Sequence, residues 1–193
     1  MKINHSDNTN FNALFVKQTQ VSRLLRNGKY EPQNVSLVKI NPKNAGDIWA
    51  LDTVANNWEY DKFSTNIFNN AYQIYKGTEQ PKYHIYALTT QRNNLRKLNA
   101  DKILGLMDLT RLTKRETYIS HLQTKPDFVY STKPKIKGVG AALINAIKET
   151  CTTIRLTSLP ELSVKRFYKK LGFVPYTETS ATKLIWKKNF DKA

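Results

Sequence analysis

The chain has 193 residues, of which 40% are hydrophobic, and it carries a formal net charge of +16 at pH 7. This length suits one domain with a full core and an added segment, and no apolar run approaches the length of a membrane span. The start of the chain has no apolar stretch that would act as a secretion signal, and the lone Cys151 excludes an internal disulfide framework, so we expect a cytoplasmic protein.

Residues 1–34 have the pattern of an added segment. A polar start is followed by apolar residues at roughly helical spacing, namely Phe11, Leu14, Phe15, Val21, Leu24 and Leu25. Gly28 and Pro32 then interrupt the pattern. We expect an N-terminal extension over residues 1–34 that is helical in part, followed by a domain over residues 35–193.

The first half of this domain is predicted to contain one strand, two helices and three further strands. The first strand covers residues 35–40, and Asn41-Pro42 predicts a helix start, with a cap and a proline in the first turn. Apolar spacing predicts the two helices, one through Ile48, Leu51, Ala55 and Trp58 and the other through Phe63, Ile67, Phe68, Ala71 and Tyr75. Strand-like runs follow at residues 83–90, 103–109 and 118–124.

Two glycines, Gly138 and Gly140, open an apolar helix directly after a run of basic residues. Glycine lets the backbone approach an anion closely, and the first N–H groups of a helix point their partial positive charge at it. A P-loop would need Gly-Lys-Ser/Thr here, and a dinucleotide fingerprint would need a third glycine where Leu143 stands. The segment is therefore predicted to be a different phosphate loop, with a diphosphate cofactor as its natural ligand.

The elements after the loop complete a pattern. A strand at Thr153 to Thr157 and a second helix lead into Tyr-x-x-Leu-Gly-Phe, which ends at Phe173, and strand-like residues follow at 173–176 and 182–187. This order and spacing resemble the Gcn5-related N-acetyltransferases (GNATs), with the sharpest motifs between Leu122 and Phe173. The resemblance implies an α/β fold with a mixed, mostly antiparallel sheet of six to seven strands and about four flanking helices.

The resemblance also implies that acetyl-CoA is the co-substrate and that an amine attacks its thioester directly. The cofactor contacts that it implies are Leu122, Gln123, Thr124, Lys135, Ile136, Lys137, Gly138, Val139, Gly140 and Ala141. The strand end would offer backbone groups to the pantetheine arm and to the thioester oxygen, where negative charge develops. The lysines would add charge beside the phosphates, and the alternative for them is a solvated, flexible basic loop.

Tyr168 shares an inward helix face with Val164, Phe167 and Leu171. Periodicity alone favours a core tyrosine. The resemblance implies instead a tyrosine near the CoA sulfur, where it would protonate the departing thiolate.

His121 is the first candidate for the general base, because it lies on the strand before the loop and an unperturbed imidazole titrates at about pH 6.5. The alternative for His121 is a purely structural role. In that case Glu116, Asp108 or a chain of water molecules would accept the proton from the amine. Ser158 and Glu161 form an S-x-x-E pair, which predicts a capping box at the start of the last helix.

Two further residue types give no catalytic signal. Cys151 is expected to be a small buried hydrophobic residue rather than a nucleophile. Three scattered histidines and one cysteine have no metal-ligand spacing, so no metal site is predicted.

Taken together, these features predict an N-acetyltransferase that acts on a primary amine of a small molecule, peptide or protein. The net charge leaves open either solvated basic faces or an acidic partner such as RNA. The second explanation favours a toxin- or effector-like acetyltransferase acting on aminoacyl-tRNA or a protein. A non-catalytic CoA- or nucleic-acid-binding protein is the alternative from another class, and an open sheet edge would allow a homodimer.

Overall fold

The computed structural model describes residues 13–58, 62–78, 83–95, 97–129 and 131–188. Within them lie nine strands: β1 (Leu14–Leu24), β2 (Tyr30–Lys39), β3 (Tyr83–Thr89), β4 (Ile103–Arg111), β5 (Glu116–Thr124), β6 (Ile136–Lys137), β7 (Thr153–Thr157), β8 (Val174–Pro175) and β9 (Lys183–Lys187). The helices are α1 (Ala45–Asn57), α2 (Phe63–Lys76), α3 (Pro126–Val129), α4 (Val139–Lys148) and α5 (Leu162–Lys170), with a 3₁₀ turn at Ala100–Lys102. None of the helices in these ranges is long and apolar enough to cross a bilayer.

All nine of these strands belong to one sheet, in the order β6-β1-β2-β3-β4-β5-β7-β9-β8. The β5–β7 pair is parallel and the other neighbouring pairs are antiparallel. A parallel pair needs a crossover connection, and α4 supplies it on the way from β5 to β7. The predicted mixed, mostly antiparallel sheet is confirmed. Among the described residues it has nine strands rather than six to seven, with five helices, one of them a single turn.

The expectation of a helix is wrong for the part of the N-terminal extension that the structure describes. Residues 14–24 form strand β1 rather than a helix, and they pair antiparallel with β2. The helical spacing of the apolar residues does not correspond to a buried helix face, because Leu14 and Phe15 are 55% and 53% exposed. Hydrogen bonding to β2, together with β-branched residues along β1, favours the strand. The expected boundary after residue 34 falls inside β2, and Phe11 lies outside the described residues.

Two hydrophobic layers enclose the sheet. One lies under α1 and α2, where most of the predicted helix faces are buried, at Ile48, Leu51, Ala55, Trp58, Ile67 and Ala71. Tyr75, predicted on the same face of α2, is 42% exposed, and Ile74 is buried in its place. The other lies under α4 and α5, around Leu143, Ile144 and Ile154. Helix α1 begins at Ala45 rather than at Asn41-Pro42, because the Asn44 side chain accepts a hydrogen bond from the Asp47 N–H at 3.0 Å and caps the helix there.

Candidate active site

A cavity of about 630 Å³ opens where the parallel strands β5 and β7 diverge. Their ladder runs from Glu116↔Thr153 to Ile119↔Leu156 and stops there. Beyond that point the cavity wall comprises Phe63, residues 119–124, Phe128, Val129, residues 136–141, residues 156–159, Ser163, Val164, Phe167 and Tyr168. Its volume lies within the usual range for small-molecule sites. The predicted catalytic residues and nearly all predicted cofactor contacts therefore meet in one cavity.

The start of α4 forms one end of this cavity. Gly138 caps the helix with φ of +85°, a left-handed conformation that glycine adopts without a steric penalty. The first intrahelical bond runs from the Ala142 N–H to the Gly138 carbonyl at 2.9 Å. By helix geometry the N–H groups of Val139, Gly140 and Ala141 then have no intrahelical acceptor. They and the helix dipole form a local anion site beside the cavity.

Gly140 lets α4 approach its neighbours closely. A Cβ atom at this position would lie 3.2 Å from Phe167 Cζ on α5, 3.5 Å from Leu122 Cδ2 and 3.6 Å from Thr124 Cγ2 on β5. Gly105 on β4 does the same from the sheet side, since a Cβ there would lie 2.6 Å from a Val139 methyl carbon. Larger side chains would push the start of α4 away from the diverging strands.

The segment that leads into Gly138 is fixed by the N-terminal strands. Strand β6 pairs with β1, and the Tyr30 hydroxyl donates a hydrogen bond to the Pro134 carbonyl at 2.9 Å. Lys137 lines the cavity, with its Nζ 4.0 Å from the centre of the Tyr30 ring. Lys135 is exposed and lies outside the cavity wall, so it is the one predicted cofactor contact that the structure does not place there.

The side chains at the end of β5 alternate between two faces of the sheet. Leu122 and Thr124 face α4. Gln123 faces the other way, where its Oε1 accepts from the Ser64 N–H at 2.6 Å and its amide donates to the Trp58 carbonyl at 3.4 Å. Only the backbone of Gln123 is therefore available to a ligand on the α4 side.

Tyr168 lies on the buried face of α5, as predicted, and lines the cavity. Its ring packs edge-on against Phe167 and Phe173, with centroids 5.0 and 5.6 Å away. Burial raises the pKa of the Tyr168 hydroxyl to about 12, because desolvation disfavours the phenolate. The hydroxyl therefore stays protonated at neutral pH and is available to donate a hydrogen bond to a ligand.

His121 lies in the cavity wall on the α2 side, where its imidazole meets a buried carboxylate. Its Nδ1 is 3.0 Å from Asp108 Oδ1, and its backbone N–H donates to the same oxygen at 2.7 Å. Asp108 is 0% exposed, so it does not reach the cavity itself, and Glu116 forms an ion pair with Arg155. Of the three side chains considered as bases, His121 is therefore the one that lines the cavity.

The predicted capping box is wrong. Glu161 is itself the N-cap of α5, makes no side-chain cap hydrogen bond and lies outside the cavity wall. The Ser158 hydroxyl donates instead to the Thr182 carbonyl at 3.3 Å. Helix α5 starts three residues later than the S-x-x-E pattern indicates, because Ser158 is held by the sheet beside β9.

No protein-family model matches the chain, and no curated protein matches it significantly. Solved structures do match. The GNAT domain of PAT from S. lividans aligns with a TM-score of 0.53 at 10% identity, over 88% of this chain and 97% of that one. The PaiA N-acetyltransferase from Thermoplasma acidophilum, in complex with coenzyme A, aligns with a TM-score of 0.50 at 15% identity, over 81% and 100%.

A third match is the Campylobacter jejuni N-acetyltransferase PseH in complex with acetyl coenzyme A. It aligns with a TM-score of 0.50 at 16% identity, over 79% of this chain and 99% of that one. The three alignments cover 79–88% of this chain and 97–100% of the solved chains. At these identities the likeness concerns the fold, and the chain has the fold of the Gcn5-related N-acetyltransferases.

Proposed function

We propose that the protein is an N-acetyltransferase that transfers an acetyl group from acetyl-CoA to a primary amine by direct attack. The observation that carries this proposal is the cavity between β5 and β7, which joins the free N–H groups of α4 to His121 and Tyr168. The fold shared with N-acetyltransferases supports it. Acetyl-CoA would supply an activated acetyl group together with a diphosphate that anchors it.

The residues around α4 fit that ligand. The N–H groups of residues 139–141 would receive the diphosphate, and Gly140 leaves the space that a side chain would fill. The backbone of Leu122, Gln123 and Thr124 would face the pantetheine arm. Lys137 would add a positive charge from the cavity wall, whereas Lys135 would contribute only a screened field.

His121 and Tyr168 would act on opposite sides of the transferred group. As the amine nitrogen bonds to the acetyl carbon, His121 Nε2 takes the amine proton and the carbon–sulfur bond breaks. The Tyr168 hydroxyl donates a hydrogen bond to the departing sulfur, a role that suits a group held protonated by burial.

Isothermal titration with acetyl-CoA tests the proposal, with Gly138→Asp as the variant and Gly77→Asp as the matched control. Both glycines have positive φ and open space around a Cβ. Each substitution should therefore destabilise the backbone by a similar amount, about 1–2 kcal/mol. Gly77 caps the far end of α2, about 20 Å from its cavity end. Binding by the parent and the control but not by Gly138→Asp is the expected result. Absence of binding by the folded parent would contradict the proposal.

A second candidate function, acetylation of an amine carried by RNA such as aminoacyl-tRNA, is favoured by the exposed face of α5. Arg166, Lys169 and Lys170 are exposed there, on the helix that carries Tyr168. Binding of tRNA that weakens steeply as the salt concentration rises would support this acceptor class. The binding should also be lost in Lys169→Glu/Lys170→Glu. Lys43→Glu/Lys97→Glu makes the same charge change elsewhere and is the control.

A non-catalytic CoA-binding protein would instead bind acetyl-CoA and acetylate no amine.

A further inference from the structure

We propose that Asp108 and Asn70 are positioning residues that hold the His121 ring with Nδ1 protonated, so that Nε2 is its basic nitrogen. This inference rests on the proposed function for its catalytic meaning. Neither residue lines the cavity, so each would act through His121. The arrangement is a chain of three side chains from α2 through β4 to β5.

The distances identify the hydrogen-bonded pairs, and the chemistry of an ionised Asp108 carboxylate gives the direction of each bond. Asp108 Oδ1 and Oδ2 lie 3.0 and 3.1 Å from His121 Nδ1, and the Asn70 amide donates to Oδ2 at 2.7 Å. A carboxylate only accepts hydrogen bonds, so the ring nitrogen that faces it must carry the proton. In the neutral ring the lone pair is then on Nε2.

A β-bulge puts His121 on the correct face. Asp108 pairs with His121 and Leu109 pairs with Ile119, so Ser120 is an extra residue in β5. Ile119 packs in the core layer under α4 and α5, whereas His121 contacts Asn66 of α2. Without the extra residue, strand alternation would place Ile119 and His121 on the same face. The bulge therefore turns the imidazole towards Asp108.

The remaining contacts leave Nε2 accessible. The Asn66 amide is 3.5 Å from Nε2, at the limit of a hydrogen bond, and the Phe63 ring centroid is 5.9 Å from the imidazole centroid. These α2 neighbours are uncharged, so Asp108 of β4 supplies the negative charge beside the ring. An imidazolium formed by proton transfer at Nε2 would be stabilised by that carboxylate.

Nitrogen NMR of histidine-labelled protein tests the assignment without knowledge of the acceptor, and His121→Gln identifies the His121 signals. The expected parent spectrum has Nδ1 protonated and Nε2 unprotonated in the neutral ring. Asp108→Asn keeps an acceptor beside Nδ1 and should keep this pattern. Asp108→Leu removes the acceptor and should lose it. Dominant Nε2 protonation in the parent, or an unchanged pattern in folded Asp108→Leu, would overturn the inference.

Titration with acetyl-CoA separates this inference from the proposed function. The Asp108 contacts lie on the α2 side of β5, away from the start of α4, so affinity in Asp108→Asn should stay within about twofold of the parent. If Asp108→Leu fails to fold, the parent spectrum alone still decides the tautomer. If the parent binds no acetyl-CoA, the proposed function fails while the NMR result stands on its own.

Discussion

The two faces of β5 carry different halves of the candidate site and are built in different ways. On the α4 side, the proposed anion site consists of the backbone N–H groups of three consecutive residues, 139–141. On the α2 side, His121, Asp108 and Asn70 come from three separate elements and act through side chains. Strand β5 thus separates a backbone-built binding region from the side chains around the candidate base, whereas Tyr168 of α5 lies on the same side of the sheet as α4.

This difference has a functional consequence. Changes on the α4 side should alter acetyl-CoA affinity, because that side holds the anion site and Gly140. Changes at His121 should alter the rate of transfer with little effect on affinity, because its imidazole faces α2. Variants on the two sides can therefore test whether binding and chemistry are separated.

The largest effect is expected for His121→Gln. Loss of a general base costs typically about 10²–10⁴-fold in rate, so kcat should fall within that range while the acetyl-CoA affinity is kept. Steady-state kinetics with an acceptor amine, combined with titration calorimetry, measures both. His84→Gln, on β3 and outside the cavity wall, is the control. An unchanged kcat in His121→Gln would remove the histidine as base.

Gly140→Val should weaken acetyl-CoA binding by about 100-fold, equivalent to about 2.7 kcal/mol. Its Cβ would meet Phe167 at 3.2 Å, and the added methyl groups would extend further into the same space. Titration calorimetry measures the loss, and thermal melting shows how much is due to unfolding. Parent-like affinity would show that α4 does not need this close approach.

Tyr168→Phe should lower kcat roughly tenfold, because the loss of one hydrogen bond to the departing sulfur costs about 1.4 kcal/mol.

The stability of the protein should also depend on the protonation of Tyr168 at high pH. Burial raises the pKa of its hydroxyl to about 12, above the ordinary value of 10.0, so the contribution of the buried neutral hydroxyl to stability is intact below pH 10. It is lost as the pH rises towards 12, by roughly 3 kcal/mol for a shift of about two units.

Urea unfolding at pH 8 and pH 11 measures how much stability is lost through the Tyr168 hydroxyl as the pH rises. The parent should lose more stability between these pH values than Tyr168→Phe does. Tyr176→Phe, at a residue 45% exposed, is the control and should behave like the parent. Equal losses in the parent and Tyr168→Phe would contradict the burial argument.

The smallest effect is expected at the two lysines before the loop. Lys137→Ala should weaken acetyl-CoA binding about threefold, because an ammonium beside the cavity is lost. Lys135→Ala should change the affinity less than twofold, since its side chain is exposed and outside the wall. Titration of both variants with acetyl-CoA at two salt concentrations compares their affinities. A larger effect at Lys135 would place the phosphates elsewhere along the loop.

Much of the fold could be predicted because its signals are local. The strand predicted at residues 153–157 has the bounds that the structure shows, and Leu51 and Ile67 on the predicted helix faces are buried as expected. Strand β1 was not predictable in this way, because its half-exposed surface has no clear alternation. Its partners, β2 and β6, lie up to about a hundred residues apart in sequence, and only their pairing identifies it.

The site divides in the same way. Gly138 and Gly140 are recognisable because the loop motif is contiguous, and Tyr168 because helix periodicity turns it inward. The Asp108–His121 contact depends on strand register and on a one-residue bulge at Ser120, neither of which is visible in a single sequence. A charged residue within the apolar run at residues 103–109 was a usable signal, since a buried carboxylate needs partners.

A crystal structure of the protein with acetyl-CoA bound would show directly whether the cavity between β5 and β7 is the cofactor site. We expect diphosphate oxygens within hydrogen-bond distance of the backbone N–H groups of Val139, Gly140 and Ala141. We also expect the sulfur beside the Tyr168 hydroxyl and the acetyl group between that hydroxyl and His121 Nε2. Acetyl-CoA bound outside the cavity between β5 and β7, or with its diphosphate away from α4, would contradict this expectation.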